Sequence, residues 1–228
     1  MKEINTPQDY KSIFSESISP ENKAIDKRIL FETLQQALKV REFEIELYWK
    51  RANYFWAFNA ASFAGYFVVI SSDNINQYKE LTIIVSIIGI IFSLGWYLVN
   101  RGSKYWQENW EEHVSMLETE IIGPLFRTVI NPKRYSFKKL SQGYPFSVSK
   151  VNQILSLTVL LIWVYISIYS IDFTFDFPYF DTYAKEINLV SFSVIILTCL
   201  ILFWKNAESS LSKDIKSKKD NEPKMIVR

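Results

Sequence analysis

The chain has 228 residues, 49% hydrophobic and 22% charged, with 26 Lys and Arg against 24 Asp and Glu. A net charge of +2 is too small to argue for nucleic acid, so no nucleic-acid partner is expected. One Cys excludes an intrachain disulfide framework, and one His makes a metal site a poor expectation. The charges avoid four blocks, Ala52–Ile70, Leu81–Val99, Val151–Ile171 and Ile187–Trp204, which hold most of the aliphatic residues.

In chain order, Met1-Lys2-Glu3-Ile4-Asn5 has no apolar stretch of the kind a cleavable signal needs, so the N-terminal arm is expected to be kept. Ser19-Pro20-Glu21 reads as a helix start: Ser at the N-cap, Pro in the first turn, then an acid. No Gly or Pro follows until Gly65, so one helix is predicted from Pro20 through the first apolar block. Phe31, Leu34, Leu38, Arg41, Ile45 and Tyr48 step by three or four and form a mainly apolar stripe that calls for a partner helix.

The four blocks hold no Pro and no Asp, Glu, Lys, Arg or His. At about 1.5 Å per residue each spans roughly 27–31 Å, the thickness of a hydrocarbon core. Backbone polar groups in lipid must be satisfied within the segment, so each block reads as a transmembrane helix. Ala57, Ala61 and Gly65 repeat every four positions in the first block, as do Gly89 and Ser93 in the second. Such small-residue stripes let helices approach closely, within a chain or between chains. Asn59 and Ser62 in the first block, and Asn188, Ser191 and Ser193 in the fourth, suit either a polar pore lining or interhelical hydrogen bonds, of which the second is the plainer reading. Trp163, in the middle of the third block, is expected to pack against protein or lipid.

Beyond the second block Trp106, Trp110, His113, Leu117 and Ile121 again step by four or three, and Gly123-Pro124 ends the run. This helix is expected to pack antiparallel to the first, with Gly102 as a weak point. His113 follows Glu111 and Glu112; a pH response is conceivable there, but packing beside Trp110 and Leu117 is the plainer expectation. Lys133, Arg134, Lys138 and Lys139 then form a basic connector. It suits lipid headgroups or a cytoplasmic protein partner, or is simply a topological signal. Ser147 or Ser149 is placed to cap the third block. The tail from Lys213 to Lys219, with Lys213, Lys216, Lys218 and Lys219, is expected to be a solvated or loosely membrane-associated end and shows no sign of a fold.

Twenty-four of the 26 basic residues lie in the arm, the central segment and the tail; the two remaining connections hold only Lys79 and Lys185. The excess of Lys and Arg marks the cytoplasmic side, so both termini are expected there. Phosphate-binding glycine loops, the H-E-x-x-H motif and the G-x-S-x-G elbow are all missing. No catalytic residue, cofactor site or metal site is therefore expected. Cys199 lies in an apolar block, where packing is its expected role. An enzyme acting on lipid headgroups through Glu111, Glu112 or His113 ranks last.

The stretch from Arg101 to Glu118, together with Ile122-Gly-Pro-Leu-Phe-Arg-Thr-Val-Ile and Tyr144-Pro-Phe-Ser-Val-Ser-Lys-Val-Asn-Gln-Ile-Leu-Ser, resembles the RipA-like family of octameric bacterial cytoplasmic-membrane proteins. The likeness is best over residues 41–163. It implies an oligomeric inner-membrane protein with a role in stress or host adaptation, and it carries over no catalytic residue.

These readings converge on an all-α integral membrane protein. Its expected parts are a cytoplasmic arm and amphipathic helix (1–51), a transmembrane hairpin (52–99) and a cytoplasmic helix with basic connector (100–150). A second hairpin (151–204) and a basic cytoplasmic tail (205–228) complete it. The expected role is a non-enzymatic homo-oligomeric assembly or scaffold in the bacterial inner membrane. The alternative is a pore-forming or membrane-disrupting effector of an anti-phage system, gated by a cytoplasmic partner.

Overall fold

The computed structural model describes residues 6–18, 27–131, 141–175 and 225–227, with residues 194 and 201. Among the described residues four helices carry the fold: α1 (Pro7–Ile18), α2 (Lys27–Ile70), α3 (Ile75–Ile121) and α4 (Val148–Phe175). The strands β1 (Thr128–Ile130) and β2 (Met225–Val227) pair antiparallel, with Val129 opposite Ile226. The described fold is otherwise helical, as expected; this short ladder is a feature the sequence did not suggest, and Met225–Val227 complete it because β1 alone could not form it. Lys213–Lys219 of the tail lie outside the described residues.

α2 runs unbroken into the first apolar block, as its freedom from Gly and Pro before Gly65 allows. Its expected start at Ser19-Pro20 lies outside the described residues. α3 stays helical through Gly102 and ends at Gly123, whose φ of 78° is the left-handed conformation typical of a helix C-terminus. Ser147 caps α4: its Oγ accepts from Lys150 N at 3.4 Å and its carbonyl from Val151 N at 3.0 Å.

Two described helices have stretches long and apolar enough to cross a membrane, Ile75–Thr119 and Val148–Ile171. The first is more than twice the length a bilayer core requires, so only its apolar part, Leu81–Val99, is read as spanning. The first block, Ala52–Ile70, is helical but is not one of these two. Two Asn, two Tyr and a Trp dilute its aliphatic content. The fourth block, Ile187–Trp204, lies outside the described residues apart from 194 and 201. Four spans are therefore not what the described residues show; two are.

The chain forms two units. The polar unit comprises Met1–Leu47, Ser103–Tyr144 and Asp214–Arg228; the apolar unit comprises Tyr48–Gly102 and Pro145–Lys213. The polar unit has an ordinary hydrophobic core. Tyr10 of α1, Leu30, Leu34 and Ala37 of α2, and Val114 and Leu117 of α3 are buried together, with Leu38, Trp110, Met116 and Ile121 packed around them. Of the stripe expected on α2, Leu34 and Tyr48 are buried and Leu38 packs on the core, but Phe31 is exposed, and Leu30 and Ala37 turn inward instead. On α3, Trp110, Leu117 and Ile121 pack as expected, but Trp106 stands half exposed outside the core.

The apolar unit is organised the other way round. Ile84, Ile87, Ile91, Leu94 and Leu98 face outward on α3, while Thr82, Ser86, Ser93 and Asn100 are buried. Burying hydroxyls and amides beneath an isoleucine-rich surface is costly in water and natural in lipid, where small polar residues pack helices together.

Candidate functional site

With the exception of Glu118, the buried positions of α3 follow one rule. In the apolar unit they are Thr82, Ser86, Gly89, Ser93, Trp96 and Asn100, with steps alternating four and three. In the polar unit Ser103, Gln107, Trp110, Val114, Leu117 and Ile121 repeat the same steps, with Trp110 and Ile121 only partly buried. A mean period of 3.5 keeps one seam facing its partners, as in coiled coils.

Three polar contacts pin α2, α3 and α4 along this seam. At one end Asn152 Nδ2 donates to Tyr48 Oη (2.7 Å) and to Asn100 Oδ1 (3.2 Å), and Asn100 Nδ2 reaches Ser156 Oγ at 3.3 Å. In the middle, Asn59 Oδ1 accepts from Ser93 Oγ at 2.7 Å and from Trp163 Nε1 at 3.0 Å, while its own Nδ2 donates to the Phe55 carbonyl. At the far end Tyr66 Oη meets Ser170 Oγ at 3.1 Å. Ser170 gives its proton to the Ile166 carbonyl, so Tyr66 is the donor. The α2–α4 contacts join residues 104 apart each time, so these helices run parallel in one register. Ser62, Thr82, Ser86 and Ser156 spend their hydroxyl protons on carbonyls of their own helices, which lets the helices approach without orphaned donors.

Gly89 is essential to the middle contact. The indole of Trp163 lies directly against its backbone, where a Cβ would overlap the ring. Trp163 has no exposed surface; it stacks on Phe63 at 4.3 Å and meets Tyr66 edge-on. The sequence placed Trp163 against protein or lipid, and protein is the answer. Asn59 makes the interhelical bonds expected of it, while Ser62 bonds its own helix. Asn188, Ser191 and Ser193 lie outside the described residues.

The small-residue stripes divide. Gly89 and Ser93 are buried within the chain. A side chain at Gly65 would only just reach Val85, so this glycine is not required for a close approach. Ala57 and Ala61 are exposed, together with Ala60 and Ala64.

In the polar unit Glu118 is completely buried and accepts two backbone bonds, from Phe126 N at 2.6 Å and Arg127 N at 3.1 Å. Its carboxylate thereby holds the loop after Gly123. That loop closes a cleft of about 290 Å³ with Arg41, Glu111, Glu112 and Ser115. Arg41 lies over the Phe126 ring at 5.9 Å and pairs with Glu111 at 3.7 Å, a half-solvated contact worth little.

His113 is held by a residue the sequence gave no reason to pair with it. Tyr10 of α1 brings its Oη to 2.6 Å from His113 Nδ1, and Trp110 lies against the imidazole at 5.1 Å. Packing beside Trp110 was expected. Burial pushes the imidazole below its usual range, against a smaller upward pull from Glu112. With Tyr10 donating, neutral His113 carries its proton on Nε2. A His whose folded pKa is depressed supports the fold fully above its free value of about 6.5 and loses that support as pH falls below it. Melting of the full chain is therefore expected to weaken from pH 7 to pH 5, and His113→Gln is expected to flatten that part of the profile. An unchanged slope in the variant would refute this assignment.

Lys133, Arg134, Lys138 and Lys139, assigned to headgroups or a partner, lie outside the described residues. Among the described residues no group of three or more His, Cys, Asp or Glu is placed to hold a metal.

Long helices with aliphatic surfaces and a hydrogen-bonded interior define a helical membrane protein. Residues 31–172, well over half of the chain, match the model of the octameric membrane protein family, and the chain belongs to that family. No curated protein and no solved structure matches it significantly.

Proposed function

We propose that the chain is a non-enzymatic subunit of a homo-oligomeric scaffold in the bacterial inner membrane, crossing it four times with both termini in the cytoplasm. The observation that carries this reading is the outer face of α2. Ala57, Ala60, Ala61 and Ala64 are exposed there, opposite the buried Asn59, Ser62 and Tyr66. The outer face of α3 is isoleucine and leucine, suited to lipid chains; a row of alanines suits another helix. Membership of an octameric family supplies the second copy. The distribution of Lys and Arg supports the orientation. The RipA-like placement and a role in stress or host adaptation rest on the resemblance of residues 101–130 and 144–156 to that group.

The pore-forming alternative gains no support from the interior of one subunit, where Trp163 packs against Gly89. A conducting path would have to lie between subunits, and loss of membrane potential on overexpression would favour it. The scaffold reading is tested by native mass spectrometry of the complex in mild detergent. Wild type is expected at the mass of a closed ring, and Ala61→Trp at a smaller mass. Ile88→Trp, on the lipid-suited face of α3, should leave the ring intact. A monomeric wild type, or an Ala61→Trp ring of unchanged mass, would count against this reading.

A further inference from the structure

We infer that the apolar unit carries a binding collar for anionic phospholipid headgroups at one end. This rests on the membrane reading and assigns the lipid contact to residues other than the basic connector. The contact joining Tyr48, Asn100 and Asn152 fixes which residues share a level on α2, α3 and α4. Within one turn of it lie Lys50 and Arg51 on α2, Arg101 on α3 and Lys150 on α4, against a single acid, Glu46 on α2. Residues 48–56, 97–102 and 145–153 include no acid. At the opposite end of the same unit, beyond the Tyr66–Ser170 contact, the turn between α2 and α3 and the start of α3 hold Asp73, Lys79 and Glu80. The two ends of the apolar unit therefore differ in charge as well as in sequence.

Chemistry around the four cations fits a headgroup layer. Trp49, Tyr54 and Trp56 are exposed there, and such amphipathic rings favour the boundary between hydrocarbon and water. Arg101 lies over the Tyr97 ring at 5.8 Å, which steers its long side chain while leaving guanidinium N–H groups for a phosphate. Four cations from three helices can meet the phosphodiester of phosphatidylglycerol, while a zwitterionic choline headgroup offsets its phosphate with its own positive charge. Each cation beside an anionic surface contributes roughly a fivefold gain in affinity.

Full-length protein, stripped of lipid in mild detergent, would be titrated with phosphatidylglycerol or phosphatidylcholine and its bound lipids counted by native mass spectrometry. Wild type is expected to retain phosphatidylglycerol preferentially. Arg101→Gln should weaken that retention about fivefold, and Arg51→Gln with Arg101→Gln and Lys150→Gln about a hundredfold. Arg101→Gln should leave the melting temperature unchanged, and Lys79→Gln at the other end should leave lipid retention unchanged. Equal retention of the two lipids by wild type would overturn the proposal, as would a triple variant that keeps the preference. So would competition by millimolar inorganic phosphate as strong as the triple substitution, which would mark a site for free anions. A chain recovered in solution without detergent would overturn the membrane reading itself; a membrane-bound chain with no lipid preference would overturn only the collar.

Discussion

Gly89→Ala should destabilise the protein by about 3 kcal/mol, although it adds a single methyl group. The new Cβ would overlap three atoms of the Trp163 indole, a rigid ring with no exposed surface and no space to retreat into. Moving the ring would also stretch its bond to Asn59 Oδ1, which Ser93 shares. Gly89→Val should be worse. The check is thermal unfolding in detergent, combined with a second substitution. Trp163→Phe makes room and should partly rescue Gly89→Ala, so that the pair costs less than the sum of its members. Strict additivity would show that the two residues do not meet.

Glu118→Ala should destabilise the polar unit by about 3 kcal/mol. Glu118 is wholly buried, and its two oxygens accept from Phe126 N and Arg127 N. Truncation would strand two backbone donors beside an empty site. Glu118→Gln keeps one good acceptor and should cost about half as much. Faster tryptic cleavage after Arg127, together with a lowered melting temperature, would report the released loop. A protein that melted and resisted trypsin like wild type would show that the carboxylate does not hold the loop.

Much of the helical layout was legible because few signals competed with it. α2 contains no early Gly or Pro, Gly123-Pro124 stops α3, and Ser147 caps α4. The faces were harder to read. Leu30 and Phe31 are adjacent and both apolar, and only packing decides which turns inward. Trp106 is in phase with Trp110 and apolar, which suggests the core, yet it stands half exposed, and phase alone does not show where the packed face ends. The seam of α3 did leave a signal: Thr82, Ser86, Gly89, Ser93, Trp96 and Asn100 alternate steps of four and three. It is easy to miss because, Trp96 apart, these residues are small or polar, and a search for apolar periodicity passes over them. The Tyr10–His113 and Tyr48–Asn152 contacts join residues more than a hundred positions apart, and local pattern says nothing about such partners. β2 is invisible for a related reason: Met225–Val227 is strand only because Thr128–Ile130 lies beside it.

The polar interior of the apolar unit bears on how that unit responds to temperature. Large heat-capacity changes arise when apolar surface passes from a dry core into water. Separating α2, α3 and α4 within a bilayer would expose Asn59, Ser93 and Tyr66 to hydrocarbon and wet little new aliphatic surface. Its heat-capacity change should therefore be small and its stability should decline almost linearly on warming. The polar unit, with Leu34, Val114 and Leu117 at its centre, should show the usual curvature and a temperature of maximum stability. One chain would then melt by two thermal laws, and cold would loosen only the part that folds in water.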